Sequence, residues 1–143
     1  MPSTWRSRAP SEALRILAAE DNPTNQLILT ALLEPLGAEL TVVSDGAQAV
    51  EACRAQTFDV VLMDVQMPVM NGVEAALQIR ADEAAHDRPR TPIVALTANV
   101  MQHQLEEYFA AGMDGSVSKP IEASKLFATI SNVLSEPAES AAA

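Results

Sequence analysis

The sequence predicts an α/β fold in which a parallel sheet is covered by helices on both faces. Short apolar segments alternate five times with longer segments of helical periodicity, as they do in chains built from βα units. The segment at 58–63 is almost entirely apolar, which is typical of a strand buried on both faces. Polar residues directly follow four of the apolar segments, and the carboxyl ends of parallel strands share one edge. The same pattern therefore predicts where a ligand would bind.

The first strand and helix are defined by local signals near the start of the chain. Residues 14–19 are mostly apolar, and Asn22-Pro23 follows them. Asparagine is a favoured helix cap, and proline is favoured as the first helical residue. We expect this helix to continue through Leu36 and to end at Gly37, because glycine readily adopts the left-handed conformation found at helix ends.

The later elements follow the same rules, with apolar runs for strands and Gly, Pro or Asp near the helix boundaries. They are a strand at 40–43, a helix beginning at 44–46, strands at 58–63 and 93–96, helices at 73–84 and 99–110, a short strand before Lys119, and a last helix. Leu126, Ile130 and Val133 give that last helix a clear 3.6-residue period. In the helix at 99–110, Leu105 and Phe109 are four residues apart and are the expected apolar pair.

Right-handed crossovers permit few strand orders for five such units. The flavodoxin-like order 2-1-3-4-5 is one of them and is the order we predict, with five helices on two faces. It makes the first and third strands neighbours, so that Glu20, Asp21 and Asp64 come together. We assign residues 13–135 to this domain and expect 1–12 and 136–143 to be flexible tails, because neither shows a periodic pattern.

Composition excludes several classes of function. The chain has 143 residues and 48% hydrophobic residues, which suits one domain with a buried core. Its net charge of -10 disfavours direct binding to nucleic acid phosphates. Cys53 is the single cysteine, so no internal disulfide forms, and no apolar run reaches the roughly 18 residues of a membrane helix. With no signal peptide pattern either, we expect a cytoplasmic location.

The acidic residues at the predicted sheet edge suit phosphoryl chemistry with a divalent cation. Asp64 follows the third strand, and a carboxylate there can attack phosphorus and form an acyl phosphate. Because the donor is itself anionic, we expect a Mg²⁺ ion, which prefers oxygen ligands. Asp21 and Asp64 are the predicted direct ligands, with Glu20 acting nearby. The backbone carbonyl of Gln66 could supply a further oxygen.

Two more side chains are expected at this edge. Lys119 follows the fifth strand and supplies a positive point charge, while Thr97 follows the fourth strand and supplies a hydroxyl. Three carboxylates carry a charge of −3, which Mg²⁺ and the lysine together neutralise. Phosphoryl transfer depends mainly on positioning and neutralisation of charge, so we predict that Asp64, Thr97 and Lys119 carry the chemistry.

Five sequence pieces, in order, resemble a known family. They are AEDNPTNQ, DVVLMDVQMPVMNG, TPIVALTA, AAGMDG and SKPI. In the residues of these motifs and in their spacing, the chain resembles the receiver domain of two-component response regulators. It resembles most of all the receivers attached to hybrid sensor histidine kinases. The resemblance covers residues 13–135. Each motif alone is weak evidence for the family, but five motifs in the family's order make a chance match very improbable.

The resemblance implies a function for the predicted site. Asp64 would accept a phosphoryl group from a phosphohistidine, and Glu20 and Asp21 would hold the metal. Lys119 and Thr97 would contact the phosphoryl oxygens. The implied partner is a histidine kinase dimerisation domain or a histidine phosphotransfer protein, docking on the first helix. We expect the chain to be the C-terminal receiver of a hybrid kinase, which an upstream part could tether to a membrane sensor.

Further details follow from the same resemblance. The Lys119-Pro120 bond would be cis, and Gln66 and Asn99 would flank the water that attacks the acyl phosphate. One position departs from the family pattern, because receivers commonly carry an aromatic residue where this chain has Ser116. Output would then pass through the loop and helix after Thr97, or the domain would only relay phosphate.

Alternative functions share some of these sequence features. A stand-alone single-domain response regulator fits the same residues. A phosphatase with an aspartate nucleophile usually has a second Asp two residues later, where this chain has Gln66, which cannot exchange protons. A flavin module would need more aromatic residues than one Trp, one Tyr and three Phe. A pure docking domain has no use for clustered carboxylates, which repel one another.

Overall fold

The structure, a computed structural model, describes residues 14–98 and 102–135. Its strands are β1 (Arg15–Ala19), β2 (Glu39–Val43), β3 (Val60–Asp64), β4 (Ile93–Thr97) and β5 (Gly115–Ser118). Its α-helices are α1 (Pro23–Leu33), α2 (Gly46–Ala55), α3 (Gly72–Ala85), α4 (Gln102–Ala110) and α5 (Ala123–Ser135). The predicted tails at 1–12 and 136–143, and Asn99, lie outside the described residues.

The five strands form one parallel sheet in the order β2-β1-β3-β4-β5, so the predicted flavodoxin-like order is confirmed. The register places Ala19 of β1 opposite Met63 of β3, and Thr97 of β4 opposite Ser118 of β5. The ends of these strands therefore lie side by side. This alignment brings the residues that follow β1, β3 and β5 to one edge of the sheet.

Alternation along the strands divides the core into two layers. In β3, Val61 and Met63 pack with residues of α2, α3 and α4, whereas Val60 and Leu62 pack with residues of α1 and α5. Successive side chains of a strand point to opposite faces, so a strand covered on both sides must be apolar throughout. All four of these residues are fully buried.

Side-chain caps fix the starts of the helices near this edge. The Asn22 side chain accepts hydrogen bonds from Thr24 N (2.8 Å) and Asn25 N (3.2 Å), which confirms the predicted cap of α1. Asn71 and Glu74 form a reciprocal capping box at α3. That helix begins at Gly72, one residue before the predicted start. A Cβ atom on Gly72 would collide with the carbonyl oxygen of Asp64, so glycine is required where α3 leaves the edge.

The end of the first helix differs from the prediction. The α-helical part ends at Leu33, and Glu34–Leu36 forms a 3₁₀ turn before Gly37. Pro35 has no N–H and cannot continue the α-helical hydrogen bonds, so the chain tightens here. Gly37 has φ +67° and ends the segment in the left-handed conformation, as expected.

The AAGMDG motif has a structural role away from the carboxyl edge of the sheet. Arg80 of α3 donates to the Gly112 carbonyl oxygen (2.7 Å from Nη2) and to Asp114 Oδ2 (2.9 Å). Asp114 Oδ2 also accepts from Ile93 N at 2.9 Å, and Gly112 has φ +102°. These bonds fasten α3 and the turn after α4 to the start of β4. Within the described part of the chain, none of the helices is both long and apolar enough to cross a membrane.

Candidate phosphoacceptor site

The predicted site residues meet at the carboxyl edge of the sheet. Glu20 follows β1, Asp64 ends β3, Thr97 ends β4 and Lys119 follows β5. The Lys119 ammonium lies 3.1 Å from Glu20 Oε1 and 3.1 Å from Asp64 Oδ2. Side chains from the ends of three strands are thus in direct contact, as the strand order requires.

Backbone hydrogen bonds hold these residues in place. Glu20 N donates to Val43 O (3.0 Å), and Lys119 N donates to Thr97 O (2.8 Å), so each residue continues the ladder past its strand. Gln26 of α1 donates its side-chain amide to Glu20 O at 2.6 Å. The Lys119-Pro120 peptide bond is cis, as the resemblance implied.

Three carboxylates are close enough to share one cation. Ligand oxygens of Glu20, Asp21 and Asp64 lie within 4.8 Å of one another. Glu20 is fully buried, Asp64 is 4% exposed, and Asp21 is exposed at the mouth of the site. Buried ionised carboxylates are costly unless they are paired or coordinate a metal.

The pairing of Glu20 is incomplete. Its Oε2 accepts from Asn22 N at 3.1 Å. Its Oε1 forms an ion pair with the Lys119 ammonium at 3.1 Å but has no hydrogen-bond partner among the described residues. A buried acceptor oxygen with this open bonding capacity, beside two other carboxylates, fits a hard divalent cation such as Mg²⁺.

The electrostatics of the cluster point the same way. Burial and, after it, the neighbouring Glu20 carboxylate raise the pKa of Asp64 to about 6, although the Lys119 ammonium opposes the rise. For Lys119, burial alone would lower the pKa, but the Asp64 and Glu20 carboxylates outweigh burial and raise it overall. The three carboxylates and one ammonium carry two excess negative charges, which one divalent cation would balance.

Gln66 lies beside Asp64, and its backbone N–H donates to Asp64 Oδ1 at 3.2 Å. That bond fixes the orientation of the carboxylate whose other oxygen faces Lys119. Gln66 also lines the cleft above the acidic cluster. The role of its carbonyl as a metal ligand stays a prediction.

A cleft of about 840 Å³ opens over the cluster. Its walls come from the start of α1, the loop after β3, the end of β4 and one side of α4. The residues that line it beside the cluster include Asn22, Asn25, Met67, Ala98 and Glu107. Polar side chains dominate this set, and the space can admit a phosphoryl group together with the side chain that donates it.

The sequence analysis did not place Tyr108 of α4 in this cleft. Its ring is 3% exposed, and its hydroxyl lies 3.3 Å from Thr97 Oγ1. The expected apolar pair of this helix was Leu105 and Phe109, but Phe109 is 49% exposed and Tyr108 is buried instead. The signal was present in the spacing of Leu105, Tyr108 and Ala111, which repeats every three residues and also describes one helix face.

Comparison with known proteins agrees with this geometry. The family model of the response regulator receiver domain matches residues 16–131. The chain is 46% identical over 120 residues to the sensor protein GacS of Pseudomonas syringae pv. syringae. It is 40% identical over 117 residues to the signal transduction histidine-protein kinase BarA of Escherichia coli K12. The matches cover 84% and 80% of this chain but only 13% and 12% of those two proteins.

Solved structures share the whole fold. The receiver domain of the sensor histidine kinase PA1611 from Pseudomonas aeruginosa PAO1 has a TM-score of 0.77 and 39% identity, covering 86% of this chain and 98% of that one. Its structure contains a magnesium ion coordinated in the active site cleft.

A second similar structure is a co-crystal of the Saccharomyces cerevisiae histidine phosphotransfer protein Ypd1 with the receiver domain of Ssk1. It has a TM-score of 0.81 and 29% identity, covering 85% of this chain and 89% of that one. The strand order, the juxtaposed strand ends and these matches agree with one another. The chain therefore belongs to the response regulator receiver domain family of two-component systems, and it is homologous to the receiver domains of hybrid histidine kinases.

Proposed function

We propose that Asp64 accepts a phosphoryl group from a phosphohistidine of a partner protein, with Mg²⁺ bound beside it. One observation carries the proposal: the buried Asp64 carboxylate lies 3.1 Å from the Lys119 ammonium and within 4.8 Å of two further carboxylates. This arrangement combines a nucleophile, a fixed positive charge and a cation site. A structural role for Asp64 would not require the other three groups.

The transfer step follows from these positions. A carboxylate oxygen of Asp64 attacks phosphorus, and the bond between phosphorus and the imidazole nitrogen breaks. The imidazole leaves with the electron pair, and an acyl phosphate remains on Asp64. Bound Mg²⁺ would supply charge neutralisation for the transferred group, and Glu20, Asp21, Asp64 and the Gln66 carbonyl would hold it.

Lys119 and Thr97 are assigned to the phosphoryl oxygens. The Lys119 ammonium already contacts Asp64 Oδ2, so it lies next to any group attached to that carboxylate. Thr97 ends the neighbouring strand, and its hydroxyl is a single donor facing the cleft. Together they would offset charge on oxygens that the cation does not reach.

We also propose α1 as the docking surface for the donor. Leu27 is 71% exposed and Ile28 is 38% exposed on this helix, and Asn22 and Asn25 line the cleft at its start. Exposed apolar residues beside a reactive site favour contact with a partner over solvent. The donor would be a histidine phosphotransfer protein or a histidine kinase dimerisation domain. The similar receiver of Ssk1 is bound to such a phosphotransfer protein.

The chain would act as the receiver module of a longer, hybrid histidine kinase. The relatives support this context, since the chain spans about one eighth of the length of GacS and BarA. In that setting the module would lie on the cytoplasmic side, and its chemistry would be autocatalytic phosphorylation and slow dephosphorylation.

The proposal is tested by intact-mass measurement after incubation with acetyl phosphate and Mg²⁺. The wild-type domain is expected to gain one phosphoryl group, and Asp64→Asn is expected to gain none. The matched control is Asp59→Asn, which changes a buried aspartate that accepts from Arg15 N at 2.7 Å, at the opposite end of β3. Equal uptake by wild type and Asp64→Asn would disprove the assignment.

A further inference from the structure

We infer that Tyr108 is a positioning residue that transmits phosphorylation of Asp64 to helix α4, by reversing a hydrogen-bond chain that runs through Thr97. This inference rests on the proposed function, because it needs a phosphoryl group on Asp64 and the Thr97 hydroxyl beside it. It goes further by assigning a role to a residue of α4 that belongs to none of the strand-end groups.

The hydrogen-bond chain links three side chains, those of Thr97, Tyr108 and Gln104. Thr97 Oγ1 lies 3.3 Å from the Tyr108 hydroxyl, and that hydroxyl donates to Gln104 Oε1, also at 3.3 Å. Thr97 is 4% exposed and Tyr108 is 3% exposed, so water does not readily replace either partner. Gln104 and Tyr108 are four residues apart in α4 and both line the cleft.

The direction of the chain follows from counting hydrogens. Each hydroxyl has one hydrogen to donate, and a side-chain carbonyl oxygen can only accept. Since Tyr108 donates to Gln104, the bond between Thr97 and Tyr108 must use the hydrogen of Thr97. The resting direction is therefore from Thr97 to Tyr108 to Gln104.

A phosphoryl group on Asp64 would reverse this direction. Hydrogen bonds to an anionic oxygen are about twice as strong as neutral ones, and both bonds in the resting chain are long for hydroxyl donors. The hydrogen of Thr97 would turn to the phosphoryl oxygen. Tyr108 could then stay bonded to Thr97 only by donating to it, and its bond to Gln104 would be lost.

The consequence falls on α4. The bond from Tyr108 to Gln104 ties two turns of this helix to each other at the cleft. Phe109, the next residue, is 49% exposed on the outer side of the helix. A change at Tyr108 is thereby linked to a surface that a partner can contact.

The first test uses the fact that Tyr108 is the only tyrosine in the chain. Protein labelled with ¹³C at tyrosine Cζ gives a single resonance, whose position depends on what the hydroxyl donates to and accepts from. With acetyl phosphate and Mg²⁺, we expect this resonance to shift in proportion to the phosphorylated fraction measured by mass. Full phosphorylation without a shift would overturn the inference while leaving the proposed function intact. Absence of phosphorylation would overturn the proposed function, and the inference with it.

The second test uses Tyr108→Phe, which keeps the buried ring and removes the hydroxyl. Amide hydrogen exchange of α4 is compared between variant and wild type at equal phosphorylated fraction. In wild type, phosphorylation should raise exchange in the first two turns about fivefold, the effect of losing one ordinary hydrogen bond. In the variant, phosphorylation should change amide exchange little, because the hydrogen-bond chain through Tyr108 is already interrupted.

The matched control is Phe109→Leu, which alters the neighbouring exposed ring and leaves the hydrogen-bond chain through Tyr108 intact. It should respond to phosphorylation as wild type does. A full wild-type response in Tyr108→Phe would show that the hydroxyl is not needed and would overturn the inference.

Discussion

Lys119 Nζ and Asp64 Oδ2 lie 3.1 Å apart, although 55 residues of sequence separate them. The lysine is the only cation in contact with the acidic cluster among the residues that the structure describes. It therefore has two opposing effects: it neutralises charge that would attract a metal ion, and it is placed to stabilise a phosphoryl group.

These effects predict opposite changes in Lys119→Met. Magnesium affinity should rise several-fold, because a competing positive charge beside Glu20 and Asp64 is removed. Phosphate uptake from acetyl phosphate should fall about 100-fold, the usual cost of removing one fixed group that stabilises developing charge. Metal titration and the rate of mass gain measure the two quantities. Lys125→Met, which removes an exposed lysine, is the control, and parallel changes in both quantities would contradict the assignment of Lys119.

The raised pKa of Asp64 predicts an unusual pH dependence of stability in metal-free protein. The folded carboxyl has a pKa of about 6 against an ordinary value of 3.8, so the folded state binds more protons between these values. The free energy of unfolding should therefore rise as pH falls from about 7 to about 5. Urea denaturation in EDTA at several pH values measures it.

Two comparisons isolate Asp64 as the source of that trend. Asp64→Asn should lose the rise and should be more stable than wild type at neutral pH, because it removes a buried charge. Saturating Mg²⁺ should also suppress the rise, since the cation stabilises the ionised carboxylate. If the free energy of unfolding of metal-free wild-type protein stays constant or falls as the pH is lowered over this range, folding does not raise the pKa of Asp64.

Docking on α1 predicts a difference between large and small phosphodonors. Ile28→Ser should lower transfer from a phosphorylated histidine phosphotransfer protein about tenfold, the effect expected of an apolar contact residue. Transfer from acetyl phosphate, which needs no docking surface, should change little. Leu77→Ser, on the exposed side of α3, is the control for loss of a surface apolar residue. Equal loss with both donors would place the defect in the chemistry.

Val69 predicts a gain of stability by substitution. It lies in the loop between Asp64 and α3, is 83% exposed, and has φ +69°, a conformation that β-branched residues rarely adopt. Val69→Asn should raise the free energy of unfolding by about 1 kcal/mol, because asparagine tolerates this conformation. Val69→Thr keeps the branched Cβ and should give no gain. A gain with Thr but not Asn would exclude backbone strain as the cause.

The sequence predicted the sheet and its reactive edge because both depend on local patterns. Each apolar run marks a strand to within one or two residues, and the rule that parallel strands end at a common edge then brings Glu20, Asp64, Thr97 and Lys119 together. No contact between the four side chains had to be known. Crossover handedness, which is equally independent of side-chain detail, limited the strand orders to a few, and the predicted order 2-1-3-4-5 is one of them.

Other features depend on information that no local pattern contains. The rotation of α4 about its axis decides whether Tyr108 or Phe109 is buried, and both choices satisfy a helical period. Arg80 joins Gly112 and Asp114 across more than thirty residues, so the AAGMDG piece could be recognised without its bonds being known. The 3₁₀ turn before Gly37 reflects a single proline, whose effect on a helix end varies with its exact position.

The assignment of Asp64 as the phosphoacceptor is tested by locating the phosphoryl group after transfer from a phosphorylated histidine phosphotransfer protein. Peptide mapping by mass spectrometry, with and without Mg²⁺, should find the group on Asp64 alone and only when the metal is present. A phosphoryl group on another residue would exclude Asp64 as the acceptor, and equal transfer in the absence of Mg²⁺ would exclude a role for the metal.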